Sequence, residues 1–453
     1  MTQPATTSPE HTRPSGRPAG IPPQPQAPRQ SRRDRGTGPA ASAECRADVD
    51  AGRWPDVARL PAAGSARTAV ARFLVGRALD RLALTAPASG ARAHARTGPT
   101  LTLHDPDAFH RRIGRHGLIG FGESYMAGEW DSDDLAGLLT VLARHVDELV
   151  PAPLRRLRGL WVPARPAADR NTRAGARENI QRHYDLSNDL FSAFLDSTLS
   201  YSSALFTGFP ARFAALPEAQ HRKIDRLLDL ARVGEGTRLL EIGTGWGELA
   251  LRAAARGAHV TTLTLSAEQA GLARERIAAA GLADRVDVQL RDYRDAEGRY
   301  DAVVSVEMIE AVGAEFWPSY FTALRRALAP GGRIALQSIT MGHQQMLHTA
   351  ATHTFISKYV FPGGLIPSRR ALAEHSASAG LHTVADHGYG EHYAETLRLW
   401  RERFTAARPT VTALGFDAVF QRMWEFYLAY SEAGFRSGYL DVRQLLLTEG
   451  THR

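Results

Sequence analysis

The chain has 453 residues, 43% of them hydrophobic, and a formal net charge of +7; that length holds two or three packed domains, and the basic balance favours an anionic partner, nucleic acid or an anionic membrane surface. Its one cysteine, Cys45, excludes an intrachain disulfide framework and a cysteine-based metal site. No apolar run is long enough to span a bilayer and no signal-peptide core follows the N-terminus, so a cytoplasmic protein is expected.

Nine prolines fall within the first forty positions, and residues 1–60 are expected to be a disordered Pro/Arg-rich tail without chemistry. Segment 65–84 reads as a basic helix, with Val70, Phe73, Leu74 and Leu82 recurring among Arg67, Arg72, Arg77 and Arg81. Two readings are open for it: a helix lying on an anionic membrane, or a core helix with a solvated basic face. A strand at 100–103 and helices at 106–116 and 133–150 complete a small α-rich, lipid-associated N-terminal domain, 65–150. The glycine-rich stretch 117–125 lacks the strand-turn-helix frame of a phosphate loop. Residues 151–177 form a basic linker, where arginines surround Leu154, Leu157, Leu160 and Trp161. That mixture suits a lipid headgroup layer, and no nucleic-acid module accompanies the charge.

The third region, 178–450, alternates. An amphipathic helical stretch, 179–191, and a helix, 220–232, precede a short apolar strand, 238–242. A helix at 249–258, strands at 259–263, 286–290, 300–306 and 333–338, and helices at 266–280 and 316–328 follow. Strands alternating with helices predict an α/β, doubly wound, Rossmann-like domain with ligands at the carboxyl ends of the strands. Those ends carry Glu241, Thr264, Asp292, Glu307, Glu310 and Gln337.

The strand at 238–242 runs into Gly243-Thr244-Gly245-Trp246-Gly247, directly after Glu241. Glycines let the backbone approach a ligand, and the following helix offers free N–H groups. The spacing is G-x-G-x-G rather than the G-x-G-x-x-G of a dinucleotide site, and it resembles the first motif of S-adenosylmethionine (SAM) methyltransferases. A nicotinamide or flavin site and a turn that binds nothing are the alternatives. Ser266 and Gln269 have capping-box spacing, so a helix-start role stands beside ligand contact. Asp292-Tyr293 fits an ordinary polar turn. Glu307 and Glu310, three apart, share a face on a helical turn, where either is a catalytic candidate or a simple cap or pair. The histidines are scattered without ligand spacing, so no metal is expected.

Taken in order, several stretches resemble the cyclopropane-fatty-acid and mycolic acid cyclopropane synthase family. They are R-H-Y-D-L-S-N-D-L-F from Arg182, Y-S-S-A-L-F from Tyr201, L-E-I-G-T-G-W-G from Leu240, T-L-S-A-E-Q from Thr264 and D-Y-R-D from Asp292. S-V-E-M-I-E-A-V-G from Ser305, K-Y-V-F-P-G-G from Lys358 and Y-L-A-Y-S-E-A-G-F-R from Tyr427 complete the set. G-F-G-E-S-Y-M-A-G-E-W from Gly120 is similar to the N-terminal domain of longer members, and the nearest likeness is to the actinobacterial branch making 10-methylene or 10-methyl fatty acids.

The resemblance implies C-methylation of the cis double bond in acyl chains of membrane phospholipids, through a carbocation that loses a proton. The product is then a cyclopropane ring or a methylene branch. It places SAM against Tyr201, Ser202, Glu241, Gly243, Thr244, Gly245, Thr264, Leu265, Ser266, Gln269, Asp292 and Tyr293. Tyr184, Tyr201, Phe361 and Tyr393 are implied as the cation's wall. Bound bicarbonate is implied as the base, cradled by Glu310, Tyr393, Ser203, Gln337 and the backbone of Ile339. Ser203 stands where the family has Cys, and Gln337 and Ala311 where it has His. A methylene product is favoured over the ring, with a separate reductase needed for a saturated branch. The enzyme is expected on the inner face of the membrane, and a homodimer is left open. A small-molecule methyltransferase and a lipid-binding paralogue without turnover are the rival readings.

Overall fold

The computed structural model describes residues 49–81, 98–145, 187–350 and 352–450, with residues 166, 170–173 and 175 between them. Cys45, Tyr184, Leu82, the start of the R-H-Y-D-L stretch and most of the basic linker lie outside these.

The helices of the N-terminal part are α1 (Ser65–Arg81), α2 (Pro106–His116), α3 (Leu118–Met126) and α4 (Leu135–Arg144). Asp105 caps α2 by accepting from Ala108 N–H, and Asp134 caps α4 from Gly137 N–H. The glycine-rich stretch, for which the sequence suggested no phosphate loop, is helix α3. Its glycines serve packing: a Cβ on Gly120 would lie 2.1 Å from the Arg112 carbonyl oxygen, and one on Gly122 would lie 2.3 Å from the Phe355 ring. Sequence periodicity misses such a helix because its glycines mark close backbone approach, not a turn.

Two expectations about the N-terminal part need correction. Residues 49–60 do not all belong to a free tail, because Trp54 is buried and its Nε1 donates to Asp417 at 2.9 Å. The segment 65–150 does not stand apart as a domain either. Phe109, Trp130 and Leu138 share one hydrophobic core with Phe191, Trp400 and Trp424. The buried Arg112 ties the segments, donating to Glu129 at 2.8 Å and to the Asp56 and Val57 carbonyls. Glu123 of α3, fully buried, accepts from Lys358 Nζ and, at 2.9 Å, from Tyr359 OH.

The remainder is built on a seven-stranded sheet. In chain order its strands are β1 (Arg238–Ile242), β2 (His259–Thr264), β3 (Val286–Leu290), β4 (Tyr300–Val306), β5 (Leu328–Met341), β6 (Leu381–Gly388) and β7 (Leu440–Glu449). The spatial order is β3-β2-β1-β4-β5-β7-β6. The first five are parallel, as the alternation predicted; β7 and β6 are antiparallel additions. The sheet is therefore mixed. The strand at 381–388 escaped detection because it is an edge, half exposed and polar. Strand order reverses between β1 and β4, so the crevice at their carboxyl ends is the expected ligand site. Apolar clusters cover both faces, one around Leu240, Val303 and Leu336, the other around Leu239, Val304 and Ala335. Helices α5 (Asn188–Phe194), α6 (Leu216–Leu230), α7 (Gly390–Ala406) and α8 (Ala418–Arg436) carry the remaining walls of the site.

Candidate active site

At the end of β1 the chain turns through Gly243, Gly245 and Gly247, at φ +98, +51 and +90. All three lie where side-chain-bearing residues are rare. A Cβ on Gly245 would meet nothing within 4 Å, so this residue faces open space. A Cβ on Gly247 would press at 3.1 Å on Ala273, so that glycine serves packing.

The space beside Gly245 is a cavity at the carboxyl ends of the strands. It is lined by Glu241, Gly243, Thr244, Gly245, Thr264, Leu265, Gln269 and Tyr293, and by Tyr201 and Ser202 from the loop after α5. Ser266 and Asp292 do not line it. Ser266 caps the helix Ala267–Ala279, accepting from Gln269 N–H at 3.2 Å. The Gln269 side chain turns instead to Thr264 Oγ1, 2.9 Å away. Asp292 is held by Arg294 at 2.7 Å.

Glu241 is buried, with one hydrogen bond, from Thr262 Oγ1 at 2.6 Å. Burial pushes its carboxyl up to about 8, against the opposing pull of that bond and of Lys223. Lys223 also lines the cavity, and sequence reasoning missed it. It is fully buried on α6 and donates to Ser202 Oγ at 2.7 Å; burial pulls its ammonium down to about 8. That one of only two lysines in so arginine-rich a chain sits here was the available signal.

The predicted base cradle holds something other than expected. Glu307 Oε1 accepts from Ser203 N–H at 3.0 Å and Gln337 Nε2 at 2.7 Å; Oε2 accepts from Tyr393 OH at 2.6 Å. The Ser203 hydroxyl points away and donates to the Ala204 carbonyl. Glu310 sits beside this group, and the Tyr393 hydroxyl bonds Glu307 rather than Glu310; Glu310 Oε1 accepts from Ser338 Oγ at 2.9 Å and Ile339 N–H at 2.5 Å. Burial, then the neighbouring Glu307 charge, pushes Glu310 up to about 8. Its Oε2 is buried without a hydrogen-bond partner among the described residues, which suits a neutral carboxyl. A bicarbonate ion does not fit this arrangement. Ser203 N–H, Gln337 and Tyr393 are committed to one carboxylate and Ile339 N–H to another, so the donors expected to cradle an anion are all taken.

An aromatic cluster adjoins Tyr201, which lines the cavity. Tyr201 OH and Tyr427 OH are 2.7 Å apart, Phe361 meets Tyr427 edge-on at 6.0 Å, and Tyr201 lies 5.3 Å from Trp400. Tyr393 packs on Phe435 at 4.5 Å. Tyr427, unassigned in the sequence reading, joins Tyr201 and Phe361.

A parallel strand ending in a glycine turn, an acid at its root and a cavity across the strand-order reversal define the class: a SAM-dependent methyltransferase fold. The particular family follows from comparison with known proteins. The mycolic acid cyclopropane synthetase family matches residues 171–445, so the chain belongs to that family. It is 55% identical to tuberculostearic acid methyltransferase UfaA1 of Mycobacterium tuberculosis over 89% of its own length and 97% of the relative's. It is 34% identical to cyclopropane-fatty-acyl-phospholipid synthase of Escherichia coli, over 77% and 88%. A solved structure of mycolic acid cyclopropane synthase CmaA1 complexed with SAH and CTAB aligns with TM-score 0.55 at 31% identity, covering 62% of this chain and 98% of that one.

Proposed function

We propose that the protein methylates the cis double bond of unsaturated acyl chains in membrane phospholipids, using SAM, and leaves a methylene branch. The observation that carries this reading is the joining of two environments in one cavity: the glycine turn with Glu241 and Lys223, and a half-buried acid, Glu307, with Tyr201. SAM supplies an electrophilic methyl group. Its binding here rests on the ten predicted residues that line the cavity and on the SAH named with the similar CmaA1 structure.

The chain's own residues then have three tasks. They hold the methyl donor at the glycine turn. They present π-faces of Tyr201, Tyr427 and Phe361 to a cation on the acyl chain. They take a proton from that cation without admitting water. Bicarbonate is no part of the proposal, because its donors are taken. Higher identity to a tuberculostearic acid methyltransferase than to a cyclopropane synthase supports the branch over the ring. A saturated methyl branch requires a separate reductase.

Access to bilayer lipid requires a membrane-facing surface. Among the described residues no helix is long and apolar enough to cross a membrane. Helix α1 exposes Val70 and, at 63%, Phe73, beside the exposed Arg72. We place this helix and the arginine-rich linker against the anionic inner leaflet, as a peripheral contact.

The test is gas chromatography–mass spectrometry of transesterified lipids from cells supplied with oleate and expressing the protein. Chains gaining the mass of one methylene unit, with exocyclic alkene protons by NMR, are expected. Unchanged acyl chains would refute the lipid reading, and a ring product would refute the branch.

A further inference from the structure

We infer that Glu307 is the base of the reaction, its carboxylate built into the chain at the place where a bound anion would otherwise be held. The inference rests on the acyl-methylation reading above and goes beyond it by naming the group that takes the proton.

Three donors from three separate elements converge on this side chain: Ser203 N–H from the loop after α5, Gln337 Nε2 from β5 and Tyr393 OH from α7. Burial raises the Glu307 carboxyl above its ordinary range, which suits a proton acceptor, and the three donors pull against that rise by favouring the anionic form. The donors are themselves aimed. Gln337 Oε1 accepts from Tyr389 OH at 2.6 Å and Gln444 Nε2 at 3.0 Å, which turns its amide nitrogen toward Glu307. Gln444 is the β7 residue directly opposite Gln337 in the sheet. Gln337, Tyr389 and Tyr393 are therefore positioning residues. Glu307 Oε1 takes two donors and Oε2 one, so Oε2 keeps acceptor capacity for a proton. Glu307 also lines the cavity that contains the glycine turn and Tyr201, so it faces the reacting space.

The backbone gives an independent sign. Glu307 is at φ +49, in the left-handed region that a side-chain-bearing residue seldom adopts, and its N–H donates to the Gln337 carbonyl at 2.8 Å. Strained backbone is retained where the surrounding structure enforces it, as at reactive sites. Glu310, three residues on, differs: its Oε1 takes Ser338 and Ile339, its Oε2 has no hydrogen-bond partner among the described residues, and it is not among the cavity's lining residues.

The step balances. The alkene's electron pair forms the new carbon–carbon bond to the methyl group, and the sulfur keeps the pair of the bond that breaks. Methylation leaves the cation on the neighbouring chain carbon; a 1,2-hydride shift moves it to the methyl-bearing carbon. One C–H bond of that methyl group then breaks, its electron pair becomes the exocyclic double bond, and the proton passes to Glu307. Water recovers that proton after product release.

Three measurements on the full chain test this. Wild-type turnover is compared in carbon-dioxide-stripped buffer with and without added bicarbonate. Turnover and SAM affinity are then measured for Glu307→Gln. Finally, Glu307→Gly, which suits the positive φ and empties a carboxylate-sized space, is assayed with added bicarbonate or formate. We expect wild-type rates to agree within about twofold, and Glu307→Gln to lose about 10²-fold or more in turnover with SAM affinity retained. Glu307→Gly should regain turnover as the anion is added. A wild-type rate that collapses without bicarbonate, a Glu307→Gln enzyme within about threefold of wild type, or a SAM-binding Glu307→Gly that no anion rescues would overturn the inference. Failure of the lipid reading looks different, because the wild type would then make no methylated acyl chain in any buffer.

Discussion

Binding of the methyl donor should depend steeply on pH, through Glu241. Buried, with one hydrogen bond, its carboxyl is pushed up to about 8 in the free protein. A ligand carrying a methionine-type ammonium gains from the ionised form, so binding must expel the proton. With the carboxyl near 8, about 10% is ionised at pH 7 and about 1% at pH 6. Affinity should therefore rise about tenfold per pH unit across that range, roughly 1.4 kcal/mol per unit. It should level off near pH 8, where the ligand's own amino group begins to lose its proton. Calorimetric titration with S-adenosylhomocysteine, in two buffers of different ionisation enthalpy, reads affinity and proton release together. About one proton should leave per ligand bound at pH 6.5, and Glu241→Gln should bind weakly with a flat profile. An affinity constant within twofold from pH 6 to 7.5, with no proton released, would refute the reasoning.

Unliganded stability should carry the opposite mark. Glu241 and Glu310, both raised from near 4.5 to about 8, bind more protons folded than unfolded across that window. The melting temperature should thus fall as pH rises from 5 to 7.5, and a rise would contradict the assignment. Gly245→Val should leave a folded protein that no longer binds SAM, because its side chain enters the cavity at φ +51; unchanged affinity by calorimetry would place the ligand elsewhere. Gly120→Ala should lower thermal stability by about 1–3 kcal/mol, since its Cβ falls 2.1 Å from a backbone oxygen of α2, and a thermal melt checks it. Sedimentation with anionic liposomes should pull the protein down at low salt and release it as salt rises; equal binding to neutral vesicles would remove the electrostatic contribution.

Legibility in the sequence followed the range of the interactions. The strand at 238–242 coincides with β1, and the glycine turn after it is set by residues adjacent in the chain. The alternation to 338 likewise yields five parallel strands, because burial on both faces leaves continuous apolar runs. Ten of the twelve residues predicted at SAM line the cavity, most of them because strand ends in this topology meet at one crevice. Long-range contacts decided the rest. The sequence alone could name Glu307 and Glu310 as two acids on one turn, but not which of them meets Tyr393. That choice depends on the positive φ at Glu307 and on β5 lying between β4 and β7, which sets Gln337 against Gln444 and aims its amide. Helix α3 was hidden because its glycines answer to Arg112 and Phe355, the latter more than two hundred residues away. Lys223 reads locally as a helix-surface cation, and only packing against Ser202 and the buried acids makes it part of the site. A one-dimensional pattern records what each residue needs from its neighbours along the chain; the partner that a buried charge finds across the core is fixed only when the fold closes around it.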